Sequence, residues 1–170
     1  MAKSFSNPVY VLNKVINGII FVLIALGAAF LGLFVFGVRP YVVLSGSMEP
    51  VIKTGSLVFV NHNAKFSDLK VGDVITFKTG DVVVTHRVHE VKDGRIVTKG
   101  DANENADGGY VTASTLVGKD VYAVPRLGYA VQFLQSLPGV IASGAVILAL
   151  IIGSLLTGRD DEDEKKKVRA

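Results

Sequence analysis

Residues 15–38 form a run of 24 residues without a charge, closed by Lys14 on one side and Arg39-Pro40 on the other. At ~1.5 Å of rise per residue, a helix of this length crosses a hydrocarbon core of ~30 Å with little to spare. A cleavable leader has an apolar region of only ~7–15 residues and a small-x-small exit, which this run lacks. A permanent membrane helix is therefore expected at 15–38. A second run at 137–156, with the core VIASGAVILALIIGSLL, has a similar reach. Its Gly139, Ser143, Gly144 and Gly153 are small enough to let a neighbouring helix approach closely. The chain is 49% hydrophobic, and much of that content lies in these two runs. A soluble domain of this size has too small an interior to bury both.

The flanking charges orient the pair. Lys3 and Lys14 bracket the start, while Arg159 and Lys165–Lys167 follow the second run. Positive charge close to helix ends stays on the cytoplasmic side. The expected layout is a cytoplasmic tail at 1–14, a span at 15–38, an extracytoplasmic domain at 39–135, a span at 137–156 and a charged cytoplasmic tail at 157–170. This makes a multi-pass protein of the cell (plasma) membrane, with the lipid bilayer as its first partner. The tail RDDEDEKKKVRA mixes both signs, which argues for a solvated segment rather than a lipid-binding patch. The net charge of +3 is not gathered into a basic stripe with interleaved aromatics, so nucleic acid is not an expected partner. The chain has no cysteine, which removes disulfides, thiolate zinc sites and cysteine nucleophiles.

Between the spans the pattern changes to short β-branched runs separated by turns. Strands are expected at 56–60, 74–77, 82–91, 95–98 and 117–124. Asp93-Gly94 supplies the positive φ of a tight hairpin, and Thr79-Gly80-Asp81 resembles a second turn. No helical period of useful length stands out. The fold class is thus mostly β: a small, largely antiparallel domain tethered at both ends.

Three segments of this domain carry chemistry. Ser45-Gly46-Ser47-Met48-Glu49-Pro50 follows the first span, with Gly46 allowing a sharp turn beside a hydroxyl and Pro50 holding the exit extended. On its own, such a turn is ordinary. His86 and His89 lie in the longest strand, three apart and so on opposite faces, which makes them a poor metal pair. Taken alone, His86 is an ordinary strand histidine. Residues 99–110 form a polar, glycine-rich loop whose carboxylates suggest calcium, but the EF-hand spacing is missing. No metal or other cofactor is expected. Together, a serine, a histidine and an aspartate form the minimum set for acyl transfer, in which a base activates a weak hydroxyl nucleophile and an acid orients the base.

Four blocks in order extend this reading: VVLSGSMEPVIKTGSLVFV, KVGDVITF, TGDVVVTHRVHEV and TKGDANENADGGY. In these blocks the chain resembles the signal peptidase I family, in its endoplasmic-reticulum and archaeal-type branch, also found in some Gram-positive bacteria. The resemblance implies a β-rich peptidase domain beside the membrane. It implies Ser47 as nucleophile, Ser45 as an aid to the oxyanion hole formed with Ser47, and His86 as general base. Asp107 matches the acid of the histidine branch, and Asp101 a supporting acid. At Asp107 the chain has Ala-Asp-Gly-Gly where the family often has a denser Asp/Arg cluster. The bacterial housekeeping branch has a lysine base instead, for which Lys78 and Lys99 are the candidates here.

The implied function is a membrane-bound serine endopeptidase that removes N-terminal signal peptides after small residues. Its expected partners are preprotein signal peptides and, in this branch, further peptidase-complex subunits or secretion machinery. Three rival readings are a self-cleaving LexA-type regulator, a non-enzymatic membrane-tethered β module and an inactive scaffold of the same family. The first has no need of two spans. The second requires Ser47 and His86 to lie far apart, and the third sits poorly with intact Ser, His and Asp positions.

Overall fold

The computed structural model describes the backbone over residues 8–169 and side chains over residues 11–154. Lys3, Arg159 and Lys165–Lys167, whose charges set the expected orientation, lie outside the described side chains. Two compact units are present, one made of residues 32–133 and the other of the helical segments on either side.

The helical unit holds most of α1 (Pro8–Val35) and α3 (Leu137–Arg169). Val11–Val35 and Leu137–Ser154 are long and apolar enough to cross a bilayer, with mean hydropathies of 2.8 and 2.2. Their apolar side chains, such as Phe21 and Leu148, point outward rather than into a protein core. Small residues let the two helices meet. Gly153 lies against Ile16, and the Ser154 hydroxyl donates to Asn17 Oδ1 at 3.2 Å. Gly144, also expected to aid packing, faces open space. The apolar run from Val15 is helical only as far as Val35, because Gly37 turns the chain with a φ of 73°. The backbone of α3 stays helical through the charged tail.

The second unit is built on one six-stranded sheet: β1 (Val38–Val42), β2 (Leu57–Asn61), β3 (Val74–Thr79), β4 (Val82–Lys92), β5 (Arg95–Lys99) and β6 (Leu116–Val124). The spatial order is β1-β2-β6-β3-β4-β5, and every pair is antiparallel. Both expected turns are present. Asp93 and Gly94 take φ values of 50° and 70° at the β4–β5 hairpin, and Gly80 takes 58° at the β3–β4 turn. Alternation along the strands feeds two apolar clusters. One gathers Leu69, Ile75, Phe77, Val88, Ile96 and Val111, while Met48, Ile52, Val58 and Val60 form the other.

Two elements depart from the sequence expectation. Residues 38–42 form a strand despite Pro40, which is tolerable because β1 is an edge strand and proline costs least where a ladder bond is not needed. Residues Leu127–Gln135 form a short helix, α2, where no helix was anticipated. Its first turn is anchored by close approach, with Gly128 against the carbonyls of Gly55 and Ser56 and the Tyr129 ring over Gly55.

Candidate active site

The turn at 45–50 is held from several sides. Beyond β1 the ladder continues, with the Val43 N–H donating to Ser56 O and the Gly55 N–H to Val43 O. The Glu49 N–H donates to Gly46 O, and the Glu49 carboxylate accepts from the Thr54 N–H and hydroxyl. Met48 is sunk into the second apolar cluster. Ser47 is thereby pinned between two anchored neighbours.

His86 comes from β4. Its strand partner across β3 is Ile75, so its ring stands on the apolar face, edge-on to Phe77 at 6.3 Å between centroids. It is 8% exposed. Ser47 Oγ lies 3.0 Å from His86 Nε2, and Asp107 Oδ2 lies 2.6 Å from His86 Nδ1. An ionised carboxylate only accepts, so Nδ1 carries the proton and Nε2 is left to accept from the Ser47 hydroxyl. Ser45 Oγ is 3.3 Å from Ser47 Oγ.

Asp107 is held by a residue that the sequence reading did not single out. The buried Thr98 of β5 donates its hydroxyl to Asp107 Oδ2 at 2.6 Å, and the Asp107 N–H donates to Thr98 O at 2.8 Å. A threonine in a strand followed by a polar loop was the only available signal. Asp101 is occupied elsewhere. It accepts two hydrogen bonds from Arg87, at 2.8 and 2.7 Å, and Arg87 also donates to Gly72 O. This pairing holds the Arg87 guanidinium above its ordinary range. Asp101 therefore braces the residue after His86 and does not touch the imidazole. His89 lies exposed at a β-bulge. Lys99 donates its Nζ to Glu104 O and Lys78 is exposed, so neither has a hydrogen bond to Ser47.

Ser47 and His86 line a cleft of about 620 Å³. Tyr41–Leu44 form one wall and Asp81–Thr85 the other. His62, missed by the sequence reading, supports the Tyr41–Leu44 wall: its Nε2 lies 3.1 Å from the Tyr41 hydroxyl, and the two rings stack at 5.8 Å. Burial, aided by Arg39, lowers its pKa and favours the neutral ring.

The family profile described as "Signal peptidase, peptidase S26" matches residues 15–92. The "Signal peptidase complex catalytic subunit SEC11" of Fusarium vanettenii is 32% identical over 157 residues, covering 81% of this chain and 89% of that protein. The chain belongs to the signal peptidase I family. A SEC11 subunit of Colletotrichum graminicola is 28% identical over 89% of this chain and 97% of its own. "Signal peptidase I W" of Bacillus subtilis is 46% identical over 78 residues, which are 43% of this chain and 41% of that protein. Like its family, this signal peptidase is a serine endopeptidase that hydrolyses peptide bonds, which sets aside the non-enzymatic readings.

One further acid of this signal peptidase escaped the sequence reading. Asp120 of β6 lies opposite Val60 and accepts from the Thr76 hydroxyl at 2.7 Å, while its Oδ2 has no partner among the described residues. Burial pushes its carboxyl up to about 6, against a smaller lowering effect of the Thr76 hydrogen bond.

Proposed function

We propose that this signal peptidase removes N-terminal signal peptides from secreted or membrane preproteins after small residues, with Ser47 as nucleophile and His86 as general base. The supporting observation is the series Ser47 Oγ, His86, Asp107, with contacts of 3.0 and 2.6 Å. The Ser47 oxygen attacks the scissile carbonyl while its proton passes to His86 Nε2. Asp107 stabilises the resulting imidazolium and holds its tautomer. The Ser47 N–H and the Ser45 hydroxyl receive the tetrahedral oxyanion. His86 then protonates the leaving amine, and water clears the acyl-enzyme by the reverse sequence. Asp101 supports the site through Arg87.

The cleft favours an extended peptide. Val82–His86 pair with β3 on one edge, whereas β5 covers β4 only from Arg87 onward. β1 is an edge strand. Backbone groups along both walls are therefore open to a substrate strand. Ser47 follows Val38 by only nine residues in the sequence. α1 and α3 serve as the two spans at the cell membrane, with residues 39–135 outside and both tails in the cytoplasm. The name of the SEC11 relatives favours assembly with further peptidase-complex subunits.

The test is digestion of a labelled preprotein by the purified full chain, with the cut site read by mass spectrometry. Wild type should cut once, after a small residue. Ser47→Ala and His86→Ala should each lose at least about a thousandfold in kcat. Full activity in either variant overturns the assignment.

A further inference from the structure

α2 is gripped on one side and exposed on the other. Gly128 faces the backbone before β2, where a Cβ would stand 2.7 Å from Gly55 O and 2.8 Å from Ser56 O. That backbone is tied in turn to the chain leading into the Ser47 turn. The Val43 N–H donates to Ser56 O at 2.9 Å, and the Gly55 N–H donates to Val43 O at 2.8 Å. With ~3.6 residues per turn, Leu127, Ala130, Phe133 and Leu134 fall on the side of α2 away from Gly128. All four are exposed. The helix carries no charge, and Arg126 immediately precedes it. A helix face turned to water is ordinarily charged or polar, and this one is neither.

The far end of α2 is constrained by the covalent chain. Ser136 is the single residue between Gln135 and the start of α3 at Leu137. Its hydroxyl accepts from the Gly139 N–H at 3.3 Å, a cap that begins a new helix. Pro138 has no N–H with which to continue the ladder of α2. One residue spans at most ~3.6 Å, so the last turn of α2 stands where α3 enters the apolar phase. α2 is ~14 Å long, which leaves two poses. It either rises from the membrane and carries Leu127 into water, or lies along the surface. Only the second removes the exposed apolar side from water.

We infer that α2 is an interfacial helix, its Leu127, Ala130, Phe133 and Leu134 side resting in the boundary between lipid headgroups and acyl chains. The occupant of this side is the bilayer that α3 enters, and Arg126 lies at the level of the lipid phosphates. The inference rests on the proposed reading of α3 as a span and is independent of the roles given to Ser47 and His86. With lipid on one side and the Gly55-Ser56 backbone on the other, α2 is the spacer between the membrane and the strand edge that leads to Ser47.

The chain has no tryptophan, so a single introduced indole reports without background. The full-length protein carrying Leu127→Trp, Leu134→Trp or Ile147→Trp is reconstituted in phosphatidylcholine vesicles. The acyl chains are brominated either near the headgroup or near the methyl end. All three positions are exposed, so the indoles displace no core side chain. Ile147→Trp, midway along the apolar part of α3, should lose more emission to the deep bromines. Leu127→Trp and Leu134→Trp should lose emission to a similar extent, and more to the shallow bromines than to the deep ones. Quenching at 134 without quenching at 127 means that α2 rises into water. Quenching at neither means that the apolar side is kept for a protein. Stronger quenching by the deep bromines at both means that α2 is sunk in the hydrocarbon. Each of these overturns the inference while leaving α3 as a span. An Ile147→Trp emission untouched by either lipid removes the span, and the inference falls with it.

Discussion

One oxygen of Asp107 accepts from both the His86 ring and the Thr98 hydroxyl, so a strand threonine and a loop N–H decide where the acid stands. Two aspartates six residues apart look equivalent in sequence. Their partners separate them, because Asp101 forms a two-point ion pair with Arg87. Asp107→Asn removes the charge that faces the imidazolium and should lower kcat by about 10³–10⁴-fold. Asp101→Asn loosens the brace under β4 and should cost roughly tenfold or less, with a lowered melting temperature. Kinetics and melting curves on the two variants check this, and the reverse ranking in kcat would transfer the orienting role to Asp101. Ser47, His86 and Asp107 were legible because their blocks carry a family pattern. Thr98 and His62 were not, because an unremarkable hydroxyl or imidazole acquires its role only from what folding sets beside it.

Among the elements, β6 joins the two halves of the sheet, pairing with β2 on one edge and β3 on the other. It carries Asp120 into this junction, where one carboxylate oxygen has no partner among the described residues. The folded chain holds that proton up to about 6, against 3.8 in the reference state. Between those values the folded state binds more proton at Asp120 than the unfolded one, so the contribution of Asp120 to stability falls as pH rises from about 4 to about 6 and then levels. Asp120→Asn keeps an acceptor for Thr76 and removes the titration. Relative to wild type it should gain on the order of 2–3 kcal/mol above pH 6 and nothing near pH 3, as measured by urea unfolding across pH. An equal difference at every pH would remove Asp120 as the cause. The alternation of β2 to β6 was readable along the chain. β1 was hidden by Pro40, which weakens a strand signal and is admitted only because the sheet ends there. α2 was hidden by its length, too short for a helical period to emerge.

For the whole molecule, the proposed arrangement sends residues 39–135 outward and both tails inward. The chain has no cysteine, so a single introduced thiol reports its side of the membrane without background. Ser114→Cys, on an exposed loop before β6, should react with an impermeant maleimide in intact cells. Ala170→Cys should react only after lysis. The opposite pattern would put the catalytic unit in the cytosol and end the proposal. What the sequence alone determined was the pair of apolar helices, the β character between them and the order of the reactive blocks. These follow from length, alternation and residue type, which are local properties of the chain. What only the tertiary structure decided was proximity. Ser47, His86 and Asp107 are separated by 39 and 21 positions, and no local rule gives the distance between such residues. The sheet order and the docking of the 100–107 loop on Ser47 O and Thr98 O bring them together, because backbone groups far apart in the chain find their hydrogen-bond partners in one another.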